Sequence, residues 1–332
     1  VELVVAPALQ GAPNCGAEPE PDMIEVEGLT KRFAALTAVE DLRFSVQPGE
    51  VVALLGPNGA GKSTTMKMIA GFLAPDAGRV RVAGHDVVAD GLAARRALGY
   101  LPEGAPGYGE MEVADFLGFI ADVRGLAGAH RQQRLAFATD RLQLGAVRRQ
   151  PLDTLSKGFR RRVGFAAAIL HDPPVLLLDE PTDGLDPNQK HEVRGLINEL
   201  ARERTIMLST HLLEEVEAIA TRAVVIAAGR LRADHTPAEL LALSRWHGAL
   251  SFAAPDSVAA VAALDGLVPA AATTVDAREG RVVLFVRGGG VSSDVVTRRL
   301  DERRVAWSDL RVERGRLDEV FRSLTADAGA AV

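Results

Sequence analysis

An α/β fold, with a parallel core sheet covered by helices on both faces, is predicted by three stretches of this 332-residue chain. VVALL at 51–55, VLLLD at 175–179 and TIMLST at 205–210 are short apolar runs of the kind that sit in mid-sheet, where both faces are covered. Between the last two, KHEVRGLINELARER places Val193, Leu196, Ile197 and Leu200 on one face of a helix. Strand, helix, strand in that order requires a crossover connection, and so a parallel pair.

In chain order, residues 1–21 are rich in Ala, Pro, Gly and Glu, have no apolar period and are expected to be disordered. MIEVEGLTKRF (23–33) and LRFSVQPGEVVALLG (42–56) read as strands, the second turning at Pro48-Gly49 into the apolar run. A glycine-rich turn and the helix STTMKMIAG follow at once. Residues from about 104 to 170 are mainly helical, with MEVADFLGFIADVRGL carrying apolar positions at helical spacing, and an insertion of this kind forms a separate lobe. After RAVVIAAGRLRADHTPAELL the character changes. From about residue 248, ALSFAA, a short helix, TTVDA, RVVLFVRG, SSDVVTRRLDERRV and WSDLRVERG spell β-α-β-β-α-β, a small ferredoxin-like unit, with RLDEVFRSLTA as its closing helix. No internal repeat or long heptad segment is visible, which argues against a coiled-coil arm.

At 47% hydrophobic residues the chain can bury the core of two domains, or of one large domain with an appendage. A net charge of −6 argues against a general nucleic-acid binder, which needs a basic surface to displace counterions. The single cysteine, Cys15, excludes an internal disulfide and a cysteine metal cage, and fits a reducing cytosol. The longest uncharged run, Leu3 to Ala17, is broken by prolines and glycines and has neither the length of a membrane span nor the basic flank of a signal peptide. The chain is therefore expected not to cross a bilayer by itself.

GPNGAGKS, Gly56 to Ser63, fits G-x-x-x-x-G-K-[ST] and lies between a buried strand and a helix, the context that pattern needs. Gly56, Gly59 and Gly61 allow the backbone to turn tightly with its N–H groups aimed inward, a cradle that Pro57, Asn58, Ala60 and Thr64 complete. Lys62 is expected to meet the β- and γ-phosphates of a nucleotide, and Ser63 a magnesium ion. VLLLDE supplies the second part: an apolar strand ending in Asp179 delivers a carboxylate to the ligand edge of a parallel sheet, where it helps hold magnesium. Glu180, one residue on, can accept a proton from an attacking water.

LSKGFRRR, residues 155–162, raises a question of charge. Ser156 is a good helix cap, yet Lys157, Arg160, Arg161 and Arg162 load the positive end of the helix dipole with four more positive charges. Two readings are open: anionic phosphates arrive opposite this helix head, or the arginines, Arg160 and Arg161 above all, lie along the helix surface.

Taken together, GPNGAGKST, LSKGF, VLLLDEPTDGLDP and STH, in this order and spacing, resemble the nucleotide-binding subunit of ABC transporters over about residues 23–240. The resemblance implies a P-loop NTPase of ABC ATPase type at 22–240, a parallel core sheet with an antiparallel β-subdomain and a helical subdomain, followed by the small α+β domain at 248–326. It implies a head-to-tail dimer in which ATP lies between one copy's phosphate loop and the other's Leu155–Phe159 segment, with Ser156 and the backbone of Gly158 against the γ-phosphate. His211 resembles the switch histidine that orients Glu180 and water. Asp186 falls in the dimer-contact loop and can also cap a helix that begins at Pro187. Phe33 matches the aromatic that stacks on adenine, and is equally readable as a core or hairpin phenylalanine.

Two departures stand out. Lys157 and Phe159 replace residues of the usual L-S-G-G-Q, and Lys157 is open to two readings, a phosphate contact or a solvent-facing charge. Glu103 stands in GYLPEG where the family has glutamine, in a loop that there touches magnesium and water and reports to the membrane partner; Glu103 can still ligate the metal, with an extra negative charge near ATP, or is an exposed loop acid. Glu103 and Lys157 together make the chain look like the branch serving gliding-motility, copper-enzyme-maturation and drug-export permeases. The implied function is ATP and Mg2+ binding and hydrolysis by a homodimer, or a heterodimer with a second ABC ATPase, that drives a separate integral membrane permease from the inner face of the cell membrane, in the export direction. The competing class, a soluble ABC ATPase acting on DNA or ribosomes, usually carries a coiled-coil insertion or two nucleotide-binding halves, and neither is visible here.

Overall fold

A computed structural model describes residues 21–104, 108–267, 273–276, 281–285 and 291–326. Residues 1–20, expected to be disordered and containing Cys15, lie outside the described residues.

β1 (Ile24–Phe33) and β2 (Leu36–Val46) form an antiparallel hairpin, and β3 (Val51–Leu55) follows, buried along its whole length. After the glycine-rich turn comes α1 (Lys62–Ile69). β4 (Ala77–Val82) pairs antiparallel with β1, and β5 (His85–Asp86) completes a four-stranded antiparallel sheet of order β2-β1-β4-β5. α2 (Gly91–Arg96) leads into β6 (Leu98–Leu101). The helical lobe is then built from α3 (Val113–Val123), α4 (Gly128–Arg141) and α5 (Lys157–Ile169) around Phe116, Leu117, Ala138 and Phe165.

β7 (Val175–Asp179), α6 (Pro187–Leu200), β8 (Thr205–Thr210), α7 (Leu213–Ile219), β9 (Arg222–Ala227) and β10 (Arg230–His235) finish the central sheet, whose order is β10-β9-β3-β8-β7-β6. All neighbours are parallel except the edge pair β10·β9. Successive side chains of β3 point to opposite faces. Val51, Ala53 and Leu55 enter one apolar core with the helical lobe, while Val52 and Leu54 enter another with Leu29, Leu42, Met66 and Met68. The sheet is thus sandwiched between two cores, and the C-terminal ends of β3, β8 and β7 lie side by side, with Leu55 opposite Thr210 and Asp179 opposite Ser209.

α8 (Pro237–Leu243) opens on a capping box between Thr236 and Glu239. β11 (Leu250–Ala253), α9 (Ser257–Ala263), β12 (Thr273–Val275), β13 (Val282–Leu284), α10 (Ser293–Glu302) and β14 (Ser308–Val312) follow, in a fully antiparallel sheet of order β12-β13-β11-β14. Phe252, Leu264, Val282, Leu284, Val296 and Leu300 give this unit its own core. The last helix, α11 (Leu317–Thr325), departs from the expectation that it closes the small unit. Leu317, Val320, Phe321 and Leu324 recur at i, i+3, i+4 and i+7, and this stripe packs into the main core with Val225, Ala233 and Leu240. Ser244 Oγ donates to Glu319 Oε2 at 2.7 Å across the same contact.

Candidate active site

The phosphate-loop sequence turns where β3 ends. Gly61 has φ 100, and a Cβ there would lie 2.4 Å from the Ala38 carbonyl oxygen; a Cβ at Gly56 would lie 2.5 Å from that of Ile226. Both positions need glycine, the first for conformation and space and the second for space. The helix α1 begins with no side-chain cap, so its first-turn amides are available to an anion. Pro57, Asn58 and Gly59 lie at the outer lip of the loop, while Ala60 is buried beneath it. Ser63 and Thr64 are half-buried at the helix start. Lys62 is 5% exposed, and its Nζ donates to the carbonyls of Gly56 (2.8 Å) and Pro57 (3.3 Å) and stands 3.6 Å from Glu180 Oε1. A buried ammonium requires such partners, since stripping its water costs several kcal/mol (about 5) when unpaired.

Asp179 is fully buried at the end of β7. Its Oδ1 accepts from the hydroxyls of Ser209 and of Ser63, the latter at 3.4 Å, while Oδ2 has no hydrogen-bond partner among the described residues. Burial pushes the carboxyl above its ordinary pKa and the neighbouring Glu180 adds to the rise, against the hydrogen bond from Ser209. An orphaned buried carboxylate oxygen beside a serine hydroxyl is a hard oxygen donor set, which fits Mg2+.

Glu180 adopts φ 49, unusual for a residue with a side chain, and its N–H donates to Ser209 Oγ at 3.0 Å. Its Oε2 shares a 2.6 Å hydrogen bond with His211 Nδ1. Lys62, the first residue of α1, is thus gathered with Asp179, Glu180 and His211 where the adjacent strands β3, β8 and β7 end. Asp183 brings a further carboxylate near Glu180 and His211, held below the usual range chiefly by its hydrogen bond from Lys157. Behind it Thr182 Oγ1 donates to the buried Glu215, whose carboxyl burial pushes up.

The Leu155–Phe159 segment forms the head of α5. Ser156 is its N-cap, Oγ accepting from the Phe159 N–H at 3.3 Å. Gly158 is buried; a Cβ there would meet the Gln189 side chain at 2.7 Å. Among the described residues no hydrogen bond or ion pair joins Ser156 or Gly158 to the 56–64 loop of the same chain. Three of the four cations have partners within the chain. Lys157 pairs with Asp183 at 3.1 Å, and Arg162 with Glu192. Arg161 corrects the expectation of a surface arginine: it is 6% exposed, and its guanidinium donates to the backbone carbonyls of Pro102, Glu103, Asp179, Glu180 and Pro181. Arg160 is half-buried, its Nε without a hydrogen-bond partner among the described residues, which is compatible with a side chain lying along the helix surface.

The remaining expected residues are placed as follows. Phe33, at the β1–β2 turn, is 46% exposed, with Lys31 Nζ 5.7 Å from its ring, so it is not a core residue and its ring is open to a ligand. Glu103 follows β6 with its side chain exposed and its carbonyl taken by Arg161. Asp186 caps α6, Oδ1 accepting from Gln189 N–H at 3.0 Å ahead of Pro187. Ser209, Glu215 and Arg161 are the residues that sequence reasoning missed.

A family model described as ABC transporter matches residues 39–183. The daunorubicin resistance ATP-binding protein DrrA3 of Streptomyces coeruleorubidus is 34% identical over 305 residues, 92% of this chain and 96% of that protein. The probable multidrug ABC transporter ATP-binding protein YbhF of Escherichia coli (strain K12) is 37% identical over 227 residues, 68% of this chain, and the chain spans only 39% of its length. A solved structure titled as the ATP binding subunit of an ABC transporter superimposes with a TM-score of 0.61 at 33% identity, covering 66% of this chain and 91% of that one. With a relative one-third identical from end to end, and the same cassette fold beneath it, this chain belongs to the ABC transporter ATP-binding family.

Proposed function

We propose that the chain binds MgATP and hydrolyses it in a head-to-tail pair of such subunits, and that closing and reopening of the pair drives a separate integral membrane permease in the export direction. The observation that carries this reading is the convergence of Asp179, Glu180 and His211, at the ends of β7 and β8, with Lys62 at the uncapped start of α1. Phosphate-bond hydrolysis needs little covalent help from protein; it needs charge neutralised and a water held in line. The amides of the 56–64 loop and the Lys62 ammonium bind the phosphates. Ser63 and Asp179 would hold Mg2+, which when bound neutralises phosphate charge. Glu180 takes the proton of the attacking water, and His211, hydrogen-bonded to it, orients that carboxylate.

Ser156 is exposed at the head of α5, and among the described residues neither it nor Gly158 bonds to the phosphate loop of the same chain, which supports their use by the partner copy's nucleotide. The relatives named for multidrug transport and for daunorubicin resistance, together with the exposed Glu103, support an export permease as partner. No helix among the described residues is long and apolar enough to cross a membrane.

Turnover by wild type and by Glu180→Gln tests the reading. The variant is expected to bind ATP within about twofold of wild type and to lose at least about 100-fold in kcat. Sustained turnover by Glu180→Gln removes Glu180 from its role. Copurification with a multi-span membrane protein supports the transport reading; copurification with ribosomes or DNA instead overturns it.

A further inference from the structure

We propose that Arg161 is a positioning residue for hydrolysis, locking the catalytic end of β7, the loop after β6 and the head of α5 into one unit; this rests on the reading of Glu180 as general base. Arg161 lies in the second turn of the helix that Ser156 caps, yet points back into its own chain and is 6% exposed. Nη1 donates to Pro102 O (2.7 Å) and Glu103 O (2.9 Å), Nε to Pro181 O (3.2 Å), and Nη2 to the carbonyls of Asp179 and Glu180. A guanidinium has five N–H donors in a rigid plane, and here each faces a carbonyl. The five acceptors belong to the ends of two adjacent parallel strands, with Leu101 opposite Leu178 just upstream.

The consequence falls on Glu180. It sits at φ 49, its N–H held by Ser209 and its carbonyl by Arg161, so both neighbouring peptide planes are fixed and the carboxylate leaves from a set direction toward His211. An unusual backbone conformation persists when its surroundings over-determine it. The same guanidinium makes any shift of the 102–103 backbone, or of the head of α5, a shift of the base. Lysine cannot substitute, since one ammonium nitrogen with three donors cannot span acceptors on two strand ends.

The test compares the wild-type chain, Glu180→Gln and Arg161→Lys for ATP turnover, ATP affinity and thermal unfolding. Arg161→Lys is expected to lower kcat about tenfold or more with KM for ATP within about twofold, because phosphate binding by the 56–64 loop is untouched. Wild-type kcat in Arg161→Lys, with Glu180→Gln inactive, overturns the role of Arg161 and leaves the base assignment standing. An active Glu180→Gln overturns the base assignment, and this proposal with it. A parallel loss of affinity and kcat marks a general structural role and also overturns the proposal. Should Arg161→Lys fail to fold, amide exchange on the wild-type chain decides: on adding MgATP, segments 101–104 and 179–182 are expected to change protection together, and a change in only one overturns the coupling.

Discussion

Charge placement at single residues carries most of the site's chemistry. The four cations at the head of α5 look misplaced in sequence, but Lys157, Arg161 and Arg162 already have partners inside the chain. The Lys157–Asp183 pair is well exposed on both sides, so Lys157→Ala is expected to lower stability by less than about 1 kcal/mol in denaturant melts. Half-buried His171 offers a pH test. Burial lowers its pKa from 6.5 to about 4, helped by Arg124, and its Nε2 meets the Leu98 carbonyl at 3.1 Å. A lowered folded-state value means that the stability contribution is present above pH 6.5 and is lost as pH falls toward 4. Across that window wild type is expected to lose about 1.4 kcal/mol per pH unit more than His171→Gln, read by urea unfolding at stepped pH.

At the scale of elements, the phosphate loop was legible because strand, turn and helix are contiguous and each dictates its own geometry. Gly61→Ala meets both φ 100 and the Ala38 carbonyl, and is expected to weaken MgATP binding by at least about 100-fold in calorimetry. Asp186→Ala removes the cap of α6 and is expected to cost about 1 kcal/mol in melts. Ser209 was not legible, since its bond to Asp179 depends on the register of β7 against β8, which no local pattern records. Arg161 was hidden for a related reason: the carbonyls it serves come from residues as much as 59 positions away, and helical spacing alone says only that it follows a capped turn. The run of strand and helix signals from 250 to 312 matches the elements found there, but the apolar stripe of α11 did not disclose which core it would join.

For the whole molecule, that last helix decides how the parts are tied. Leu317 and Val320 sit in the main core, so the C-terminal unit hangs between α8 and α11 and both ends are fastened to the cassette. Leu317→Ala is expected to destabilise the cassette by about 2–4 kcal/mol, seen as a lower midpoint of its unfolding. Cutting the chain at 248 would strip this helix from the main core along with the small unit, so loss of activity in such a truncation is expected from destabilisation alone. The central proposal is larger: that the triphosphate is held by the loop of one copy and the Ser156 helix head of another. Sedimentation of Glu180→Gln with saturating MgATP tests it most directly. A species of twice the chain mass, abolished by adding Ser156→Arg, is the expected result; a protein that stays at single-chain mass with bound MgATP would contradict the shared site.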